Sequence, residues 1–130
     1  MNNYERGLQQ YKVQSVNTMT AGEMLTLLYD ELIKRLRKAA ILLEHKNYEL
    51  FEKEAQRCEE IVLYFRNSLN RKYGISVELD RLYEFFQYQI IRLKAGRNKQ
   101  IIEELIPLVT DLRDTFQEAS TLAMKHEEQK

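Results

Sequence analysis

Between Phe51 and Leu69 the chain reads Phe-Glu-Lys-Glu-Ala-Gln-Arg-Cys-Glu-Glu-Ile-Val-Leu-Tyr-Phe-Arg-Asn-Ser-Leu. Its apolar residues Phe51, Ala55, Cys58, Val62, Phe65 and Leu69 recur in alternating steps of four and three. That is the seam of a helix lying along other helices, since a strand would alternate at every second residue. Glu, Lys, Gln and Arg fill most positions between. A helix with one greasy side and one wet side needs neighbours to cover the seam, so the rest of the chain should supply them.

It does so on both sides. Upstream, Thr20-Ala-Gly-Glu23 has capping-box spacing, with the Thr hydroxyl placed to accept from the Glu23 N–H. The helix it opens carries Leu25, Leu28, Tyr29, Leu32, Leu36, Ala39, Ala40 and Leu43 on one face, with Lys34, Arg37 and Lys38 opposite as a solvated back. His45-Lys-Asn47 separates it from the quoted helix, and Asn47 suits an N-cap. Downstream, Asn70 to Ser76 reads as a turn in which Gly74 takes the left-handed conformation and Ser76 caps the next helix. That third helix buries Leu79, Leu82, Tyr83, Phe86, Ile90 and Leu93. After the short link Gly96-Arg-Asn98, the fourth runs Ile101, Ile102, Leu105, Val109, Leu112, Phe116, Ala119 and Ala123, its register continuing across Pro107 so that a kink is expected there. Short links force antiparallel neighbours. The expectation is an all-α, antiparallel up-down-up-down four-helix bundle at residues 20–124, with a mobile N-terminal arm at 1–19 and a polar, fraying C-terminal tail at 125–130.

Composition narrows the function. Twenty basic and twenty acidic residues cancel, whereas a nucleic-acid binder shows a basic footprint, so no nucleic-acid partner is expected. No apolar run approaches the roughly 20 residues of a membrane span, and the N-terminus lacks a secretory signal core, so we expect a cytoplasmic protein without membrane insertion. Cys58 sits in the seam and reads as a small buried hydrophobe. The Glu-x-x-His spacing of di-iron bundles is absent, because Leu42 and Ala123 stand three before His45 and His126. The pairs Glu59-Glu60 and Glu103-Glu104, and Asp111 with Asp114, fall on outward positions where water solvates them, which does not suit acid-base work. No cofactor, metal or catalytic activity is expected. Function must lie in surfaces.

The apolar residues outnumber what the core face of each helix can bury. On the third helix Phe85, Tyr88 and Ile91 form a stripe opposite the core face, where a bundle helix should be polar. Leu50, Ile61 and Tyr64 flank the seam of the second helix, and Met24 and Leu27 lie off the main face of the first. These eight residues either widen the core at helix boundaries or offer a surface to a partner polypeptide or to the arm. The arm itself carries Leu8, Tyr11, Val13 and Val16. Ordering about ten residues at ~1–2 kcal/mol each matches or exceeds what four anchors at ~1.5–3 kcal/mol supply, so such an arm either docks weakly and displaceably or acts as a staple sealing the bundle end. Self-association through the Phe85–Tyr88–Ile91 stripe, with no other client, is the competing reading.

Several pieces resemble one family. Tyr11-Lys-Val-Gln-Ser-Val-Asn-Thr, Leu25-Thr-Leu-Leu-Tyr-Asp30, Leu82-Tyr83 and Leu112-Arg-Asp-Thr-Phe116 occur in the order and spacing of the flagellin-specific export chaperones, the FliS family. Thr20-Ala-Gly stands where that family often has Ser-Pro, Glu31 replaces a small residue, Phe116 replaces a frequent Trp, and Pro107 is unusual inside the last helix. The resemblance implies a cytoplasmic bundle that binds the disordered C-terminal segment of flagellin, prevents premature polymerisation, and delivers the subunit to the gate of the flagellar type III export apparatus. It also implies that the arm, through Leu8, Tyr11 and Val16, regulates the client surface and contacts the export gate protein. A weak homodimer is compatible with it.

Overall fold

The computed structural model describes residues 21–128, with side chains described for 22–119, 121 and 122; the arm and the Thr20 cap lie outside the described residues. Four helices follow in order: α1 (Ala21–Glu44), α2 (Tyr48–Asn67), α3 (Ile75–Gly96) and α4 (Lys99–Glu128). Cross-links between helices show that neighbours run antiparallel. Glu44 meets Lys99 while Asp30 meets Arg113 on α1 and α4. Arg35 meets Glu54 on α1 and α2, and Gln56 meets Lys94 on α2 and α3. α1 packs along both α2 and α4, and α3 along α2, whereas α3 and α4 touch far less. The bundle is therefore closed on three sides and loose along the fourth.

The links explain the sharp reversals. Lys46 takes the left-handed conformation (φ 57°), and the N–H groups of Lys46 and Asn47 return to the carbonyls of Leu43 and Leu42 at 3.0 and 2.9 Å. This double bond closes the end of α1. Asn47 then caps α2 as expected, its side chain accepting from the Leu50 N–H at 3.4 Å. Two expectations fail at the next link. Gly74 is right-handed (φ −58°, ψ −37°), and Ser76 lies buried inside α3, which starts at Ile75 without a side-chain cap. At the α3–α4 link it is Arg97 (φ 55°), not Gly96, that takes the left-handed position, its N–H bonding Leu93 O at 2.7 Å. A left-handed non-glycine costs about 1–2 kcal/mol. Arg97 recovers part of this by lying 3.9 Å from the ring centroid of Tyr48 and 3.7 Å from Glu52. α4 continues through Pro107 as one helix. The carbonyl of Glu103, which Pro107 cannot satisfy, belongs to an exposed residue within reach of water. The backbone stays helical to Glu128, past the boundary expected at 124.

The core follows the seams. Phe51, Ala55, Cys58, Val62 and Phe65 are all buried, as are Tyr29, Leu32, Leu36 and Ala39 of α1, Tyr83, Phe86, Ile90 and Leu93 of α3, and Ile101, Ile102, Leu105 and Val109 of α4. Toward the end of the bundle where α1 begins, an aromatic layer ties the four helices together. Tyr29 lies 4.6 Å from Phe65 and 5.6 Å from Phe116, and Phe65 lies 5.3 Å from Tyr83, centroid to centroid. The Tyr29 and Tyr83 hydroxyls hydrogen-bond each other within this layer, so neither phenol is left dry and alone. Ala119 of α4, expected in the core, is exposed.

Cys58 is fully buried, and burial together with the neighbouring Glu54 charge pushes its thiol up to about 12. A thiol held that high in a closed seam is a packing group. We expect Ellman's reagent in mildly alkaline buffer to leave Cys58 unlabelled in the folded protein and to label it fully in denaturant. Fast labelling of the folded protein would show that the seam opens.

Candidate protein-binding surface

At the bundle end where α1 and α3 begin and α2 stops, the helices do not close. A cavity of about 320 Å³ opens there, with Phe65, Leu69, Leu79, Tyr83 and Phe116 among its lining. Met24 and Tyr64 reach across from α1 and α2, the Tyr64 hydroxyl pointing to the Met24 sulfur at 3.6 Å. Tyr73 and Ile75 also line it, from the link between α2 and α3 and the first position of α3, and are 65% and 61% exposed. The local cause is the link itself. Asn70 turns the chain by accepting from the Lys72 N–H at 3.1 Å, and the Tyr73 carbonyl accepts from the Ser76 N–H at 3.1 Å. α3 therefore starts at Ile75, leaving large apolar side chains at the cavity where a polar loop would ordinarily stand.

The residues singled out from the sequence divide into groups. Met24 and Tyr64 border the cavity. Leu27 and Leu50 are exposed on α1 and α2. Ile61 is half-buried and packs onto the core, which fits the reading of a widened helix boundary. Phe85, Tyr88 and Ile91 are 41%, 60% and 47% exposed, so the bundle itself does not absorb them. Leu8, Tyr11 and Val16 fall outside the described residues. Sequence reasoning missed Tyr73 and Ile75. The signal was present: a turn made of Lys72-Tyr-Gly-Ile75 places an aromatic and a β-branched residue where polar turn formers are usual.

The flanks of α3 can be assigned. Asp80, Gln87 and Lys94 bond across to Arg66, Arg66 and Gln56, which fixes the flank facing α2. At about 100° per residue, Leu82 and Phe85 then lie on the flank facing α4. There the half-buried Leu112 and Phe116 and the exposed Leu108 of α4 continue an apolar strip along the loose seam. Long, apolar and shallow, this seam with its end cavity suits a helix or extended chain better than a small metabolite. Among the described residues no group of three His, Cys, Asp or Glu side chains could hold a metal ion.

The model of the FliS family of flagellar proteins matches residues 3–123, almost the whole chain. This chain belongs to the FliS family. It is similar to the flagellar secretion chaperone FliS of Bacillus subtilis (strain 168), with 27% identity over 109 residues, covering 84% of this chain and 82% of the relative. A crystal structure of a bacterial flagellar chaperone superposes with a TM-score of 0.76 at 21% identity, over 90% of this chain and 97% of the other. That likeness establishes the shared four-helix fold. No helix among the described residues is long and apolar enough to cross a membrane.

Proposed function

We propose that this family member is a non-catalytic, cytoplasmic export chaperone that binds the disordered C-terminal segment of a flagellin and delivers it to the flagellar type III export gate. The observation that carries the reading is the open bundle end, where a cavity of about 320 Å³ is walled by aromatic and aliphatic side chains. It continues into the apolar α3–α4 seam. Folding a disordered segment onto a partner typically buries 1,000–3,000 Å² and loses several kcal/mol to ordering, which a compact pocket cannot recover but a groove can. Family membership supplies the kind of client. Masking the client's assembly residues keeps it from polymerising before export. The segment carrying Leu8, Tyr11 and Val16 leads directly into the α1 turn of Met24 and Leu25, which line the cavity. We assign it the regulation of client access and contact with the gate.

The test is a synthetic peptide of the C-terminal region of a flagellin from the same genome. On mixing, its circular dichroism should gain helicity and calorimetry should register binding. Met24→Asp and Tyr64→Asp should each weaken binding by about tenfold or more, since each places a charge at the apolar mouth. Absence of both heat and helicity with the folded wild-type chain would end this reading.

A further inference from the structure

Each closed side of the bundle is fastened by a cross-helix ion pair: Arg35–Glu54 at 2.9 Å between α1 and α2, Arg66–Asp80 at 3.1 Å between α2 and α3, and Arg113–Asp30 at 2.8 Å between α1 and α4. Among the described residues no ion pair joins α3 to α4, although the two edges of that seam carry opposite charges. We infer that these edges select what lies in the seam: an amphipathic helix of another polypeptide, with basic residues at seven-residue intervals on its flank beside α4 and acidic residues on its flank beside α3. The inference deepens the client reading and rests on it for the partner's identity, while the charge preference of the seam is a property of this chain.

Register sets the acidic edge. Lys99 and Arg113 tie α4 to α1, while Leu105 and Val109 face the core. At about 100° per residue, Glu104, Asp111 and Glu118 then lie on the side turned away from α1, just outward of Leu108 and Leu112. Seven-residue spacing keeps the three in one row, about 10 Å apart along the helix. All three are exposed and without an ion pair among the described residues, Glu104 accepting only from Gln100 at 3.3 Å. On α3, Arg81 and Arg92 lie just outward of Phe85 on the same side of the bundle, with Glu78 nearer the open end. Arg92 bonds only Gln89, at 2.8 Å, and neither arginine has an ion pair among the described residues. Charges of the kind that close the other three sides thus stay apart here, with an apolar floor between them. That floor corresponds to the a and d contacts of an incoming helix, and the two edges to its e and g contacts, where charge decides partner choice. A helix acidic on both flanks would meet the α4 row with like charges and be rejected.

Two designed peptides of about three heptads test this, both with leucine at a and d and both used where they are monomeric. One carries Lys along one flank and Glu along the other; the second carries Glu along both. Calorimetry with the full chain at low salt should show the first binding about tenfold tighter or more. Replacing Glu104→Gln, Asp111→Asn and Glu118→Gln together should bring the two affinities within about threefold of each other. Glu49→Gln with Glu60→Gln, both exposed on α2, should leave the preference intact. Unchanged circular dichroism and melting temperature verify that each variant is folded. A wild type that binds both peptides alike, or neither because the seam is shut or filled by a second copy, would overturn the proposal. So would a triple variant that keeps the preference or an α2 control that loses it. The client reading fails on a different result, a flagellin C-terminal peptide that does not bind a chain able to bind the Lys/Glu peptide.

Discussion

Phe65→Ala should lower the stability of the bundle by about 3–5 kcal/mol, the range for removing a buried Phe from a packed core. Total stabilities of single domains are about 5–15 kcal/mol, so this one change removes a large part of the whole. Phe65 earns that weight by position. It is 1% exposed and touches the rings of both Tyr29 and Tyr83, so its loss uncouples the layer that joins α1, α2 and α3. It also lines the end cavity, so truncation merges the new void with an opening already about 320 Å³ in volume. Water can then reach the Tyr29–Tyr83 hydroxyl pair, and the surrounding helices gain little by collapsing. Thermal unfolding should fall by about 10 °C or more. Phe65→Leu retains most of the volume and should cost under about 2 kcal/mol. Equal losses in the two variants, read by urea unfolding, would mean that ring contacts rather than volume dominate. A loss below about 1 kcal/mol for Phe65→Ala would contradict the packing described here.

How far the sequence carried this fold depends on what kind of interaction each part rests on. The α2 seam was legible because burial is periodic: every residue from Phe51 through Phe65 in the step-of-four-and-three pattern is indeed buried. The Asn47 cap was legible because its partner, the Leu50 N–H, is three residues away. What the sequence hid was either non-local or set by competition. The Tyr29–Tyr83 hydroxyl bond joins residues on different helices, and no local pattern announces it. Gly74 could have turned left-handed, but α3 extends back to Ile75 and absorbs Ser76, so the turn closes on Asn70 and Tyr73 instead. Arg97 takes the strained position beside an available Gly96, held there by the Tyr48 ring and Glu52 on another helix. For the candidate surface, periodicity found the stripe on α3 because an apolar residue on a wet face is a local contradiction. Tyr73 and Ile75 went unread because a link has no period to violate.

Glu54 is the clearest case of a residue whose role is invisible to periodicity, and it carries the second large effect. It stands next to Ala55 in the seam and is only 7% exposed. Arg35 donates to it at 2.9 Å and Lys38 lies 3.3 Å away, both from α1. Burial alone would raise its carboxyl pKa, but the hydrogen bonds from Arg35 and Lys38 outweigh that and hold it below the ordinary carboxylate range. Glu54→Gln should cost about 1.5–3 kcal/mol at neutral pH, the range for a hydrogen bond to a charged group. The larger ~3–5 kcal/mol of a fully buried pair does not apply, because Arg35 keeps Glu31 at 2.9 Å and Lys38 is mostly exposed. The sign of the pH dependence follows from the depressed folded-state value. Glu54 contributes its full stability above the unfolded carboxyl pKa of about 4.3, and loses it as pH falls through the lower folded-state pKa. Glutamine resembles the protonated acid in shape and charge, so the wild type and the variant should converge in acid. Glu44 and Asp80 are also held low, first by hydrogen bonds from Lys99 and Arg66, but both proteins share them and they cancel in the difference. Urea unfolding of the two proteins across the acid range reads this directly. The gap in stability should be widest at neutral pH and shrink toward zero in acid; a gap that stays constant would mean that the Glu54 charge is not what ties α1 to α2.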